Sequence, residues 1–307
     1  MDKIDAFAHI LPPKFYGEML DIDPDLPDKM PFIKNQVMLD VNERRKHMTK
    51  GVKQIISLAN ANPEDYVDPY YAARMCREVN DELAKTVEDN PDLFYGAVAA
   101  VPMNNISEAV KVINEQVAKN EHLLGIQLFT RMLGRSIADE QYRPVLNAIN
   151  NHRLIIWLHP VFDNRKPDNN LVFSWEYELS QAMQDIVLGG VYDKFPNLKI
   201  LVHHAGAMVP FFAGRIKYIL GEEKLKQFKK FYVDTAILGN PETLHLAIDF
   251  FGLKHVIFGT DAPLGIAPAG ATDVILDAIN QLDISDEDKQ AILSRNIEDF
   301  IHHKKLD

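Results

Sequence analysis

Eight short apolar runs, each followed by helical periodicity or a turn-rich connection, set the strongest limit on what this chain can fold into. They are KIDAF (3–7), VKQIISL (52–58), FYGAVAAV (94–101), residues 123–128, RLIIWL (153–158), LKILVH (198–203), FYVDT (231–235) and HVIFGT (255–260). Most are continuously apolar rather than alternating, which is the pattern of parallel strands buried on both faces. Between them the period changes. Residues 68–90 place Tyr71, Met75, Val79 and Leu83 at four-residue spacing, with charges on the opposite face. Residues 104–120 read as a second helix with Ser107 as its N-cap, and 139–152, 174–196, 240–252 and 285–301 follow the same grammar. Ser285 with Asp288 makes a capping-box pattern at the start of the last one.

Strand then helix, repeated through the chain, predicts an α/β fold. Eight such units match a (β/α)8 TIM barrel, an architecture of about 250 residues. The chain has 307, and the proline-rich residues 11–45 read as an excursion after the first strand that distorts the barrel. A doubly wound sheet is the rival. No G-x-G-x-x-G follows any strand, which counts against it. With no long linker and no internal repeat, residues 1–307 are expected to form one domain.

Composition narrows the class. Apolar residues make up 47% and charged residues 25%, as in globular proteins rather than disordered ones. A net charge of −11 would repel nucleic acid and anionic membranes. No run approaches the ~18 apolar residues of a membrane span. The lone Cys76 excludes an intramolecular disulfide and a thiolate zinc cluster. Its scarcity and the absence of a leader pattern predict a cytoplasmic protein. A homodimer stays open.

In a barrel, reactive groups stand at the C-terminal ends of strands. His9, His159, His203 with His204, Asp234 and Asp261 fall at or near such ends; the other histidines lie in helices, before strands or in the tail. A single histidine there is more often a packed core residue than a ligand. Several strands delivering imidazoles and a carboxylate to one rim point instead to a divalent metal such as Zn²⁺, Mn²⁺ or Fe²⁺.

The chain resembles the amidohydrolase superfamily, of the amidohydrolase-2 type. Within it the chain is similar to the branch of aminocarboxymuconate semialdehyde decarboxylase and related metal-dependent decarboxylases. The resemblance runs almost end to end. Its motifs are D-x-x-x-H-I-L-P (Asp5, His9, Pro12), L-G-I-Q, LHP (158–160), KILVHHAGAMVPFFAGRI (199–216), FYVDTA (231–236) and FGTDAPLG (258–265). It implies His9, His159 and Asp261 as metal ligands, with His204 as acid/base beside the metal and Asp261 able to shuttle a proton. The neighbouring His203 is expected to point the opposite way, against a helix. The implied cofactor is one divalent metal ion, Zn or Mn. The implied substrate is a small aromatic or unsaturated carboxylic acid, decarboxylated by a carboxy-lyase. Hydrolysis of a lactone, amide or related carbonyl substrate is the alternative with the same ligands. Phe162 is expected to line the pocket and Trp157 to pack in the outer layer.

There is one serious departure from the family, at Phe7, and two further features bear on metal number and substrate. Phe7 stands where the family carries a second ligand, His or Glu, on the first strand. Phe7 leaves three readings: a weaker site with an extra water, which is preferred; recruitment of Asp5 or His204; or a catalytically degenerate protein. Gln127 replaces the lysine that bridges two metals, so a single metal is expected. Between Arg215 and Arg295 there is no arginine to clamp a second carboxylate, which argues against the muconate substrate itself.

Overall fold

The computed structural model describes residues 3–161 and 170–302. Eight parallel strands form a nearly closed (β/α)8 barrel: β1 (Lys3–Ile10), β2 (Val52–Leu58), β3 (Phe94–Ala99), β4 (Leu123–Phe129), β5 (Ile155–His159), β6 (Lys199–Val202), β7 (Tyr232–Asp234) and β8 (Val256–Ile257). Each pairs with its sequence neighbour in that order. The seam between β8 and β1 closes through the residues that follow β8. Ala6 N–H donates to Phe258 O (2.8 Å), Asp261 N–H to Phe7 O (2.8 Å), and Ala8 bridges Ala262.

The sequence located every strand of the barrel but not every end, and it missed the short antiparallel pair Arg131–Met132 and Arg135–Ser136. β1 extends to Ile10, so His9 lies inside it rather than beyond it. The second expected helix begins at Ile106, capped by the Asn105 side chain accepting from Glu108 N–H (3.2 Å), not by Ser107. Asn105 sits one residue before the first helical position, where the carboxamide reaches a free N–H. Helix Pro69–Asp89 buries Met75, Val79 and Leu83 as its stripe predicts. Residues 13–47 form the excursion, a string of short helices over β1. Among the described residues no helix is long and apolar enough to cross a membrane.

Two apolar layers hold the barrel. One lies between sheet and helices; the other fills the barrel from Ile4, Ala6, Ile155, Leu201 and Ile257. Trp157 belongs to the inner layer, contrary to expectation. Its indole N–H donates to Ala6 O (2.8 Å), and Gly125 leaves space for the ring, since a Cβ there would stand 2.6 Å from it. Strand alternation explains this: Ile155, Trp157 and His159 share one face, and that face is inward. Below, helix Asn296–His302 covers the lower mouth with Ile297 and Phe300.

The seam carries a buried polar network. Asp5 accepts from Phe7 N–H (3.1 Å), Thr260 N–H (3.0 Å), Thr260 Oγ1 (2.6 Å) and Gln54 Nε2 (3.2 Å). Gln54 Oε1 in turn accepts from the buried Arg44 (2.6 Å), which also donates to His9 O and Val37 O. Burial pushes the Asp5 carboxyl up to about 7, against these hydrogen bonds, which favour its charged form. Asp5→Ala strands buried donors on both sides of the seam. It should cost about 3 kcal/mol or more, read as a lower urea midpoint at unchanged slope.

Candidate active site and metal centre

His9, on β1, and His159, the last residue of β5, turn their Nε2 atoms toward one another at 3.3 Å. His9 Nε2 also lies 3.1 Å from Asp261 Oδ1, at the end of the seam segment. The opposite ring nitrogens are already engaged. His9 Nδ1 meets Ser57 Oγ (3.2 Å) and His159 Nδ1 meets Pro160 O (2.6 Å). Pro160 O can only accept, so His159 Nδ1 donates and its Nε2 carries the lone pair, the arrangement of metal-ligating imidazoles, while the Ser57 hydroxyl can take either role toward His9. Burial first, then the nearby His9 and His203 rings, hold the His159 imidazole well below its ordinary range, so it is neutral.

Two ligands on a tetrahedral ion with metal–nitrogen bonds of about 2.05 Å stand about 3.3 Å apart. The two measured separations match that edge, and two imidazoles with a carboxylate suit zinc or manganese. His9 is the shared member of both pairs. Among the described residues no three such side chains yet enclose one point closely enough to hold an ion.

His204 follows β6. Its Nδ1 lies 2.8 Å from Glu176 Oε1, on helix Ser174–Leu188. Burial lowers the imidazole's pKa, but the Glu176 carboxylate, with Asp261 and Asp234 further off, outweighs it and raises the group to about 9. His204 is thus an imidazolium at neutral pH. Glu176, missed in the sequence, carries no local signal; only the helix entry angle brings it to the rim.

His204 and Asp261 share a strained backbone, at φ 58° and 62°. Such left-handed conformations for residues other than glycine cost free energy and persist where hydrogen bonds impose them. Here His204 N–H donates to Asp234 Oδ1 (2.9 Å) and Asp261 N–H to Phe7 O (2.8 Å).

His203 corrects an expectation. Like Leu201 two residues earlier, it faces the barrel interior rather than a helix, and its ring stacks on Phe7 with centroids 3.4 Å apart. Its Nδ1 meets Asp234 Oδ2 at 2.6 Å. Burial, with the neighbouring His204 and His9, keeps it well below the ordinary histidine range. Asp5, with its four protein donors, is occupied at the seam and is no replacement ligand. Gln127 Nε2 donates to Leu58 O (2.9 Å). Phe162 lies outside the described residues.

Above these groups opens a cavity of about 790 Å³. Its walls are apolar, with Phe173, Trp175, Met208, Phe211, Phe212 and Leu264; Glu176, His204 and Asp261 supply charge. Among the described residues no lysine or arginine lines it. His9 and His159, 0% and 2% exposed, sit beneath, so Asp261 joins the two levels.

Residues 56–302 match the family described as Amidohydrolase. The chain is 26% identical to 6-methylsalicylic acid decarboxylase of Penicillium expansum, over 86% of this chain and 85% of that one. The fold overlays 5-carboxyvanillate decarboxylase LigW from Sphingomonas paucimobilis with a TM-score of 0.87 at 21% identity, covering 98% and 99% of the two chains. Dihydroxybenzoic acid decarboxylase from Polaromonas sp. JS666, with bound manganese and the inhibitor 2-nitroresorcinol, overlays at 0.81 and 22% identity, covering 99% and 98%.

Because Glu176 holds the proton on His204, Glu176→Gln should move the alkaline limb of a kcat–pH profile down from near 9 toward 6.5. A limb that stays in place would assign it to another group.

Proposed function

Because the chain belongs to the amidohydrolase family, we propose that it is a single-domain decarboxylase of a small aromatic carboxylic acid, using one divalent metal. One observation carries this reading: an apolar cavity roomy enough for an aromatic ring ends on His204 and Asp261, and Asp261 in turn meets His9, which faces His159. The substrates for which two similar proteins are named, 6-methylsalicylic acid and 2,6-dihydroxybenzoate, are aromatic acids of this kind. The single buried Cys76 suits a reducing compartment such as the cytoplasm.

His9, His159 and Asp261 would hold the ion, manganese or zinc. When bound, it supplies Lewis-acid polarisation of a substrate oxygen. The remaining work falls to the chain's own groups. Phe173, Trp175 and Phe211 line the cavity and offer apolar surface to the substrate's ring. The His204 imidazolium attracts the carboxylate and is a proton source beside the ring. As the bond between ring carbon and carboxylate breaks, its electron pair returns to the ring carbon. That carbon takes a proton from the His204 imidazolium, and CO₂ departs. A single cationic side chain faces the cavity among the described residues, so a substrate with one carboxylate is matched and a second would be unpaired.

A panel of ortho-hydroxy aromatic acids and small lactones, scored for CO₂ and for acid release, tests the reaction. CO₂ from the aromatic acids is expected; acid from the lactones alone would establish the hydrolase instead. Asp261→Ala removes the only anionic ligand and should lose its metal on dialysis. His204→Ala should retain metal while turnover falls 10²–10⁴-fold, the usual worth of a general acid or base. Full metal occupancy in Asp261→Ala would remove that residue from the ligand set.

A further inference from the structure

The apolar wall of the cavity is assembled from parts of the chain far apart in sequence. Phe32 comes from the excursion, Leu264 and Gly265 from the loop that follows β8. Residues 263–271 of that loop form neither helix nor strand. Their backbone bonds are local: Leu264 N–H donates to Asp261 O (2.8 Å), Ile266 N–H to Leu264 O (3.2 Å) and Gly270 N–H to Ile266 O (2.7 Å). Local bonds shape a loop without fixing where it stands against the excursion.

Asn35 supplies a link across. Its Nδ2 donates to Pro263 O (3.2 Å) and to Pro268 O (2.9 Å), so one carboxamide grips both ends of the segment that carries Leu264 and Gly265. The other atom of the amide settles its orientation. Oδ1 accepts from Val37 N–H (3.0 Å), which leaves the two hydrogens of Nδ2 for the two carbonyls. Asn35 is itself anchored. Its backbone N–H donates to Phe32 O (3.2 Å), and Leu11 N–H, just past β1, donates to Met38 O (3.0 Å). Capping of the short helix Gln36–Leu39 accounts for Oδ1 alone. The two bonds from Nδ2 reach residues 228 and 233 positions away and serve a different end.

We infer that Asn35 is a positioning residue for substrate binding: its carboxamide clasps the loop after β8 to the excursion and so fixes Phe32 and Leu264 relative to one another in the cavity wall. The inference rests on the decarboxylase reading for what fills the cavity. An aromatic ring gains from apolar walls only while they stay at contact distance, since a gap of about 0.5–1 Å forfeits roughly a quarter to a half of each contact.

Asn35→Asp separates clasp from cap. Its carboxylate can still accept from Val37 N–H, but it has no hydrogen to give and faces two carbonyl oxygens. With an aromatic acid that the wild type decarboxylates, Asn35→Asp and Asn35→Ala should each raise KM roughly tenfold while kcat changes by less than about threefold, the signature of lost ground-state binding. A wild-type KM in Asn35→Asp would overturn the inference and reduce Asn35 to a helix cap. A fall in kcat at unchanged KM would also overturn it, by placing the effect on the reacting groups. A second readout needs no turnover. Trp175 lines the cavity, whereas Trp157, the chain's other tryptophan, is sealed in the barrel at 1% exposure. Acrylamide quenching of the tryptophan emission should rise roughly twofold or more in Asn35→Asp as the wall loosens, with the fold checked by near-ultraviolet circular dichroism. An unchanged quenching constant would refute the clasp, whatever the substrate proves to be. If no aromatic acid is turned over, the decarboxylase reading fails and the quenching decides on Asn35 alone.

Discussion

A parallel barrel needs its last strand to find its first, and here a buried carboxylate holds that junction. Asp5 receives two backbone N–H groups and two side-chain donors, drawn from β1, β2 and the segment after β8. The strands at the seam are too short to close it by pairing alone, since β8 spans only Val256–Ile257. Gly259 is part of the same solution: a Cβ there would stand 2.8 Å from Asp234 and 3.1 Å from Phe7. The catalytic end inherits this geometry directly. Asp261 is placed by its N–H bond to Phe7 O, and His9 N–H bonds to Ala262 O. Through Gln54, Arg44 extends the network to the excursion and back to His9 O. Seam and site are therefore one hydrogen-bonded unit, and damage to either reaches the other.

β6 shows how a strand end can serve two purposes with neighbouring residues. Regular alternation turns His203 inward, level with His159. The chain then leaves the strand at φ 58°, which swings His204 up into the cavity instead of out toward the helices. Asp234 binds both consequences, one oxygen holding the His204 backbone and the other the His203 ring. The strained turn thus converts two residues that a straight strand would send to opposite faces into a lower and an upper pair of imidazole positions.

What the sequence made legible follows from this. Continuous apolar runs are a strong signal for buried parallel strands, and all eight were readable, because burial on both faces leaves no room for polar interruption. That His9, His159 and Asp261 meet at one end of the barrel, with His204 on the cavity above, was readable because polar residues at the ends of such runs are conspicuous. The face of His203 was not, because the expectation took His204 as the inward residue and applied alternation from there; a left-handed backbone breaks that premise. Trp157 misled for a related reason: its inward place depends on the missing side chain at Gly125, one strand away. Glu176 was invisible because its meeting with His204 is set by the path of the chain between β5 and helix Ser174–Leu188, not by spacing.

The cavity's electrostatics carry the argument from geometry to specificity. A buried imidazolium is costly unless a carboxylate offsets it, and Glu176 does so at 2.8 Å. The pair enters the apolar cavity as a nearly neutral unit that still presents a donor. An arriving carboxylate gains that donor but meets the Glu176 charge behind it, so binding is strongest for an anion whose charge is also drawn toward the ligand cluster below. A neutral molecule gains only burial of its apolar surface, and a dianion brings one charge that no described cation in the lining can meet. Apolar walls select for a ring, and the floor selects for one carboxylate at its edge. In the proposed reaction that combination would hold the carboxylate over His9, His159 and Asp261 with the ring carbon near the His204 imidazolium, the orientation decarboxylation requires.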